Sequence, residues 1–326
     1  MIRFGTLGTA LITPRALVFP CVDEPRAFIH AIAARDRSRA EGFAKHHHIP
    51  SVLDTYQDVV EFDKIDAVYV PLHIPAHHEW TIKALQAGKH VLCEKSFASN
   101  AMQAEEMAAV GKATGKVLMD AFHYRYHPIF NRAREIYTSG ILGEVLEIDA
   151  AFHIPVKDPN SIRMNYKTGG GVTMDIGCYP ISWVRHITAE EPLTISAQVE
   201  VGPPDVDLML QTTMEFPGGI IAKTSGDMRP NVKFQAFLNV TGTHGSMRVV
   251  NPLVPQIGNS IELTIDSQET SETFERRPTY GYQLDAFLNA VEHGAPLLTD
   301  AVDAVAQMRV IDRCYEAAGL PLRGLA

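Results

Sequence analysis

Between Ile2 and Asp120 short apolar runs alternate with longer stretches of helical spacing, and nothing else in the 326-residue chain narrows its folding so far. The runs are Ile2–Leu7, Phe28–Ala34, Ile65–Val70, His90–Cys93 and Val117–Asp120, with helical patterns near 38–46, His77–Ala87 and Ala98–Ala113. Strands separated by a helix cannot close as hairpins. They run parallel, which predicts an α/β domain over residues 1–122 built on a doubly wound sheet. A ligand of such a sheet lies beyond the carboxyl ends of its strands, so the residues after each run are the first candidates for function.

After the first run, Gly8-Thr9-Ala10-Leu11-Ile12-Thr13 has the form of a nucleotide loop at a helix start. The fingerprint needs small residues so that the backbone can approach a pyrophosphate; Gly8 supplies the first glycine, while Ala10 and Thr13 stand for the other two. A plain strand–turn–helix explains these six residues equally well. The second run ends in Ala33-Ala34-Arg35-Asp36-Arg37-Ser38-Arg39, where dinucleotide-binding domains read the adenosine ribose. Arg35, with Arg37 and Arg39 close by, offers planar cations suited to a 2′-phosphate, which favours NADP; Asp36 keeps NAD as the alternative. Leu72, His73 and His77 follow the third run and Glu94-Lys95-Ser96 the fourth. His46-His47-His48 has no carboxylate or thiol pattern around it, and no metal site is expected.

The segment Phe122-His123-Tyr124-Arg125-Tyr126-His127-Pro128 is expected to be the hinge into a second domain, 123–326. A basic linker with an aromatic plug is the structural alternative. From Glu144 to Pro155 and from Leu193 to Ile265 the residues alternate as in antiparallel strands. Turns are expected at Gly202-Pro203-Pro204, Pro217-Gly218-Gly219 and Thr241–Gly245, and helices over Tyr280–His293 and Asp300–Ala318. An α+β domain with a large open, mostly antiparallel sheet follows. One face of that sheet would be left apolar and buried against a second copy, which predicts a homodimer or homotetramer through the C-terminal sheet.

The stretch Gly169-Gly170-Gly171 through His186 puts flexible backbone, a carboxylate, a phenol and a cation within one helical segment. Asp175 and Tyr179, four apart, share a face at helical spacing, and Pro180 removes a donor and should kink the helix near Tyr179. A capping Asp and a packing Tyr on a buried helix would look the same. The loop before it, Lys157–Lys167, offers Arg163, Asn165 and Tyr166 to a substrate.

A net charge of −9 and a pI near 5.9 argue against a nucleic-acid partner and leave small-molecule chemistry. The four cysteines form no CxxC pair, and the chain shows neither a leader pattern nor a membrane-length apolar run, so a cytoplasmic protein without a membrane partner is expected.

Taken together, Gly5–Ala10, Ala33–Asp36, Ala87–Lys95, Gly140–Glu144 and Gly169–Gly171 through Asp175, Gly177 and Tyr179 resemble the glucose-fructose oxidoreductase/inositol dehydrogenase/MocA family over nearly the whole chain. Ala10, the Ala-Ala-Arg-Asp run and Tyr179 are most similar to its NADP-linked dihydrodiol and pentose dehydrogenases. The resemblance implies hydride transfer between NADP and a secondary alcohol or lactol carbon of a sugar, polyol or diol. It implies Lys95, Tyr179 and Asp175 as catalytic residues. Around the cofactor it places Gly8, Thr9, Ala10, Leu11, Ile12, Ala34, Arg35, Arg39, Leu72, His73, His77, Glu94, Lys95 and Arg125. Around the carbohydrate-like substrate it adds His123, Arg125, His153, Arg163 and Tyr166 to Lys95, Asp175 and Tyr179. Two departures stand out: Ser96 replaces the proline of the family's Glu-Lys-Pro, and Leu72-His73-Ile74 replaces its Thr-Pro-Asn. A glycosidase that oxidises transiently, a silent dinucleotide sensor and a partner-binding protein are the competing classes.

Overall fold

The computed structural model describes residues 1–202 and 205–325, and its backbone contacts divide the chain into two compact units. The first comprises Met1–His123 and Tyr280–Val305, the second Tyr124–Thr279 and Ala306–Ala326.

In the first unit six strands, β1 (Ile2–Leu7), β2 (Ala27–Ala33), β3 (Ser51–Val52), β4 (Ala67–Val70), β5 (His90–Cys93) and β6 (Leu118–Asp120), form one sheet in the order β3-β2-β1-β4-β5-β6. Every pairing is parallel. The apolar runs are continuous because a parallel sheet is buried on both faces; all four residues of β4 have no exposed surface. The helices between strands carry local start signals. Asp36 caps α2 (Arg37–His47), Thr55 and Asp58 form a capping box on α3 (Tyr56–Glu61), and Asn100 caps α5 (Ala101–Thr114). The strand order reverses between β1 and β4, which opens a crevice at their carboxyl ends. Tyr280–Val305, expected in the second domain, packs with this unit because Phe287 meets Phe4 with ring centroids 5.5 Å apart and Thr299 bonds β6.

The second unit holds an eight-stranded sheet in the order β14-β13-β12-β11-β7-β10-β9-β8. Its strands are β7 (Val145–His153), β8 (Thr194–Gly202), β9 (Val206–Glu215), β10 (Ile221–Asp227), β11 (Gln235–Gly242), β12 (Gly245–Val250), β13 (Ser260–Ile265) and β14 (Gln268–Glu272). Only β10 against β7 is parallel. The expected turn at Gly202-Pro203-Pro204 falls partly outside the described residues. Ile148, Ala150, Phe152, Ala222, Leu238 and Val240 supply the buried face, on which the helix Cys178–Thr188 packs. The other face is not apolar as expected. Strand alternation lays one polar row across all eight strands: Ser196, Thr213, Lys223, Asp149, Asn239, Arg248, Glu262 and Ser271 are successive cross-strand neighbours. No helix among the described residues is long and apolar enough to cross a membrane.

Candidate functional site

In the first unit the candidates gather at the carboxyl ends of β1, β4, β5 and β6. Gly8 ends β1 with φ at +89°, a conformation costly for any side chain, and a Cβ there would sit 3.4 Å from the Tyr56 hydroxyl and 3.5 Å from Leu72. Its N–H donates to Ala33 O at 2.7 Å, tying the end of β1 to that of β2. The turn through Thr9, Ala10, Leu11 and Ile12 follows, and the helix begins at Pro14 rather than within Thr9–Thr13, because proline suits a first helical turn. Leu11 projects with 98% of its surface exposed. Ala34 is buried and Arg35 and Arg39 are exposed.

The arginines divide by what holds them. Arg37 pairs with Glu41 at 2.9 Å and with Asp54, whereas Arg35 and Arg39 form no ion pair among the described residues. Asp36 is spent as a helix cap, taking the Ser38 N–H at 2.9 Å and its hydroxyl at 2.7 Å; these bonds hold its carboxyl below the usual range. Thr9, Arg39, Gly42, Phe43, His46 and His47 line a groove of about 350 Å³, which places part of the histidine triplet beside the loop. No grouping of three metal-ligating side chains occurs among the described residues.

Beyond β4, His73 is pushed below its ordinary pKa first by burial and then by the Arg35 charge, and its buried Nδ1 has no hydrogen-bond partner among the described residues. An orphaned buried nitrogen, a glycine at positive φ where the loop turns and two guanidinium groups without an ion pair among the described residues together fit a dinucleotide with a phosphorylated ribose. His77 is different. It is fully buried, its Nδ1 faces Ser96 O at 3.0 Å and its Nε2 faces Leu72 O at 2.8 Å, so it clamps two loops together instead of facing a ligand.

After β5, Glu94 is buried and accepts the Tyr69 hydroxyl at 2.7 Å. Burial raises its pKa, against the Tyr69 bond and the Lys95 charge. Half-buried Lys95 also acts on His123, which burial and then this cation push down to about 3. Asp120, at the end of β6, is 1% exposed with neither carboxyl oxygen bonded among the described residues; burial raises its pKa well above the usual range. His123 lies against Tyr280 with ring centroids 4.1 Å apart. Burial also raises the Tyr280 phenol, so the groups around Lys95 are shifted toward their uncharged forms.

In the second unit the triple glycine leads into a wide π-helical turn, Thr173–Gly177, and then α7 (Cys178–Thr188), here numbered with α1 (Phe19–Asp23), α4 (His77–Gln86) and α6 (Pro128–Thr138) before it. The helix widens ahead of Pro180, which has no N–H to give the preceding turn; such turns recur at functional sites. Asp175 is held by Arg163 at 3.0 Å between Nε and Oδ2. Tyr179 is 7% exposed and stands in an aromatic cluster with Phe152 at 5.6 Å, Tyr124 at 6.0 Å and Trp183 at 6.3 Å between ring centroids. Arg125 donates through Nε to His186 Nδ1 at 3.1 Å, which ties the segment after His123 to α7. His153 was expected to meet substrate, but strand parity puts it on the face opposite Phe152 and Tyr179, where its Nε2 meets Ser225 Oγ at 2.8 Å. Tyr166 lies under the Arg323 guanidinium, 4.2 Å from the ring centroid. The sequence reading missed Tyr69, Tyr280, Asp207 and Arg323, none of which belongs to a motif; Asp120 carried one signal, its place at a strand end.

Residues 2–122 match the family model described as oxidoreductase family, NAD-binding Rossmann fold, and residues 130–248 match the GFO/IDH/MocA C-terminal domain. The chain is 31% identical over 319 residues to D-xylose 1-dehydrogenase (NADP(+)) 2 of Haloferax volcanii, covering 97% of each. It is 30% identical to trans-1,2-dihydrobenzene-1,2-diol dehydrogenase of Xenopus laevis, over 83% of this chain and 82% of that one. Among solved structures, KijD10, a 3-ketoreductase from Actinomadura kijaniata in complex with NADP and TDP-benzene, superposes with a TM-score of 0.89 at 28% identity, covering 95% of this chain and 96% of that one. An aldose-aldose oxidoreductase from Caulobacter crescentus shares the fold, with a TM-score of 0.89 at 23% identity over 98% and 97% of the two chains.

Proposed function

The chain belongs to the glucose-fructose oxidoreductase/inositol dehydrogenase/MocA family of oxidoreductases, and we propose from that premise that it is an NADP-dependent dehydrogenase of a sugar, polyol or related diol. The observation that carries this reading is Lys95, placed at the carboxyl end of a parallel strand beside buried Glu94, Asp120 and His123, with His123 pushed down to about 3 by burial and by the Lys95 charge. Gly8 and Ala10 let the loop approach the pyrophosphate, and Arg35 and Arg39 hold the 2′-phosphate. Bound there, NADP supplies the hydride acceptor for oxidation and the donor for the reverse reaction.

An alcohol that loses hydride must also lose its proton, and the developing alkoxide needs a cation. Tyr179 takes the proton. A free phenol has a pKa near ~10, and a neighbouring ammonium favours its phenolate. Lys95 provides that charge and binds the substrate oxygen, while Asp175, fixed by Arg163, orients a substrate hydroxyl. In the exchanged assignment Lys95 is the base and Tyr179 the donor. Tyr166 and Arg163 grip the rest of the sugar.

The test is a panel of aldoses, polyols and ketoses, with NADP and NAD in each direction, read by absorbance. Turnover of a pentose or hexose with preference for NADP is expected; sugar release without net change in cofactor would replace this reading by glycoside cleavage. The same proposal keeps a dimer or tetramer assembled through the C-terminal sheet. A one-chain solution mass at micromolar concentration with full activity would remove that part. The four cysteines stand unbridged, which suits a reducing cytoplasm.

A further inference from the structure

Three residues before its end the chain returns to the entry of the catalytic helix. Arg323 donates from Nη2 to Asp207 Oδ1 at 2.7 Å, with the two side chains 5% and 0% exposed. The other oxygen of Asp207 accepts the N–H of Thr173 at 2.7 Å, at the first residue of the π-helical turn that carries Asp175. Tyr315 of α9 (Ala301–Ala317, after α8, Thr279–His293) adds its hydroxyl to Asp207 at 3.4 Å. The same guanidinium covers the ring of Tyr166 at 4.2 Å. Gly171 passes over this pair with φ at +124°, and a Cβ there would come within 2.7 Å of Arg323 Nη2.

The loop carrying Arg163 and Tyr166 is thus fastened twice. Arg163 reaches forward to Asp175, and the loop's backbone takes the N–H groups of Gly170 and Gly171, each at 2.9 Å, on Asn165 O and Arg163 O. On the other side Tyr166 rests on Arg323, and Arg323 is joined through Asp207 to Thr173. A buried carboxylate–guanidinium pair is poor value for stability alone, since an apolar pair of equal volume often serves as well or better. A planar cation is required where one group must meet a carboxylate edge-on and an aromatic ring face-on.

We propose that Arg323 is a positioning residue for substrate recognition: from the end of the chain it fixes the register between the Tyr166 loop and the entry of the helix that carries Asp175 and Tyr179. This rests on the dehydrogenase reading for the identity of the substrate, and on the second unit alone for the mechanics. Arg323→Lys keeps the charge beside Asp207 and loses the planar stack, so the full-length variant folds while the loop is released.

The experiment is amide hydrogen exchange on the full chain, wild type against Arg323→Lys and Tyr166→Leu, with melting temperature and cofactor affinity measured alongside. Exchange over residues 161–173 is expected to quicken about tenfold or more in both variants, with the Rossmann peptides and the NADP dissociation constant unchanged. On whichever sugar of the panel the wild type turns over, KM is expected to rise about tenfold and kcat to change less than about threefold, the double variant being no worse than either single one. Unchanged exchange overturns the proposal, and so does faster exchange spread evenly over the second unit with a lower melting temperature, or an unchanged KM. If no sugar is turned over even by the wild type, the dehydrogenase reading falls, while exchange confined to 161–173 still upholds the role of Arg323.

Discussion

The two units reach their functional side chains by opposite means. In the first, function sits on backbone: a glycine at positive φ, strand ends in a fixed order, a helix start, with Lys95 delivered by the strand before it. In the second, it sits on side chains joined to one another, Asp207 to Arg323 across a long stretch of sequence and Arg163 to Asp175 from the loop to the turn that follows it. Backbone devices are local and leave a motif; side-chain networks leave isolated letters. Variants of the nucleotide loop should therefore fail through cofactor binding, loosened side-chain networks of the second unit through substrate binding, and Lys95 and Tyr179 through chemistry.

The largest effect expected is on the chemical step. Tyr179→Phe should lower kcat by roughly 10² to 10⁴ while NADP titrates to the same dissociation constant, and Lys95→Ala should cost at least as much. The double variant should fall well short of the product of the two, because the pair acts as a unit. Turnover above about half of wild type in Tyr179→Phe would leave that residue only a packing role and erase the contrast.

Acid should strike the first unit through its buried imidazoles. Burial pushes His77 down to about 4 and His123 down to about 3, against roughly 6.5 in an unfolded chain. Below that pH the unfolded chain takes up protons that the folded rings refuse, so stability is full above about 6.5 and drains away as pH falls toward the folded values. By about pH 5 the loss is on the order of 2 kcal/mol for each ring. Urea midpoints at about pH 7.5 and about pH 5 measure it, and His77→Gln should flatten the slope. A midpoint that holds on acidification would mean that the two carbonyls facing His77 keep an imidazolium there.

Cofactor choice comes next. Arg35→Ala should weaken NADP by roughly 1.5 to 3 kcal/mol, the scale of a charged hydrogen bond, and leave NAD nearly unchanged. Equal losses for both would detach Arg35 from the 2′-phosphate. The smallest effect tests how far the first unit depends on backbone freedom outside its loop: Gly42, within α2 and with nothing within 4 Å of where a Cβ would stand, should stabilise the chain by about 0.5 to 1 kcal/mol when changed to alanine.

The alternating pattern from Ile2 to Asp120 was legible because a parallel sheet needs continuous apolar strands and capped helices, and both are written locally. The placement of Gly8, Arg35 and Lys95 was legible for the same reason, each following the end of a strand. Pairing partners were not. Asp36 kept NAD open as an alternative, and the structure commits its carboxylate to a helix cap; His77 reads as a cofactor ligand in sequence, whereas both ring nitrogens face carbonyls. His153 turned on one residue of strand register, which alternation alone leaves undecided. The open face of the C-terminal sheet was expected to be apolar because the buried face dominates the pattern; the polar row appears only once the seven registers between its eight strands are known together.

The return of Tyr280–Val305 to the first unit sets a timetable for synthesis. Phe4 finds its ring partner in Phe287, Arg26 bonds Asn289 at 2.9 Å and Glu292 at 3.2 Å, and the Asp120 N–H donates to Thr299 O at 2.9 Å. A nascent chain that has emerged only as far as His123 has all six parallel strands but none of these closures. The ribosome must deliver the whole β-rich segment before the earliest-made domain can be sealed, so the order in which the units are finished need not follow the order in which they are made.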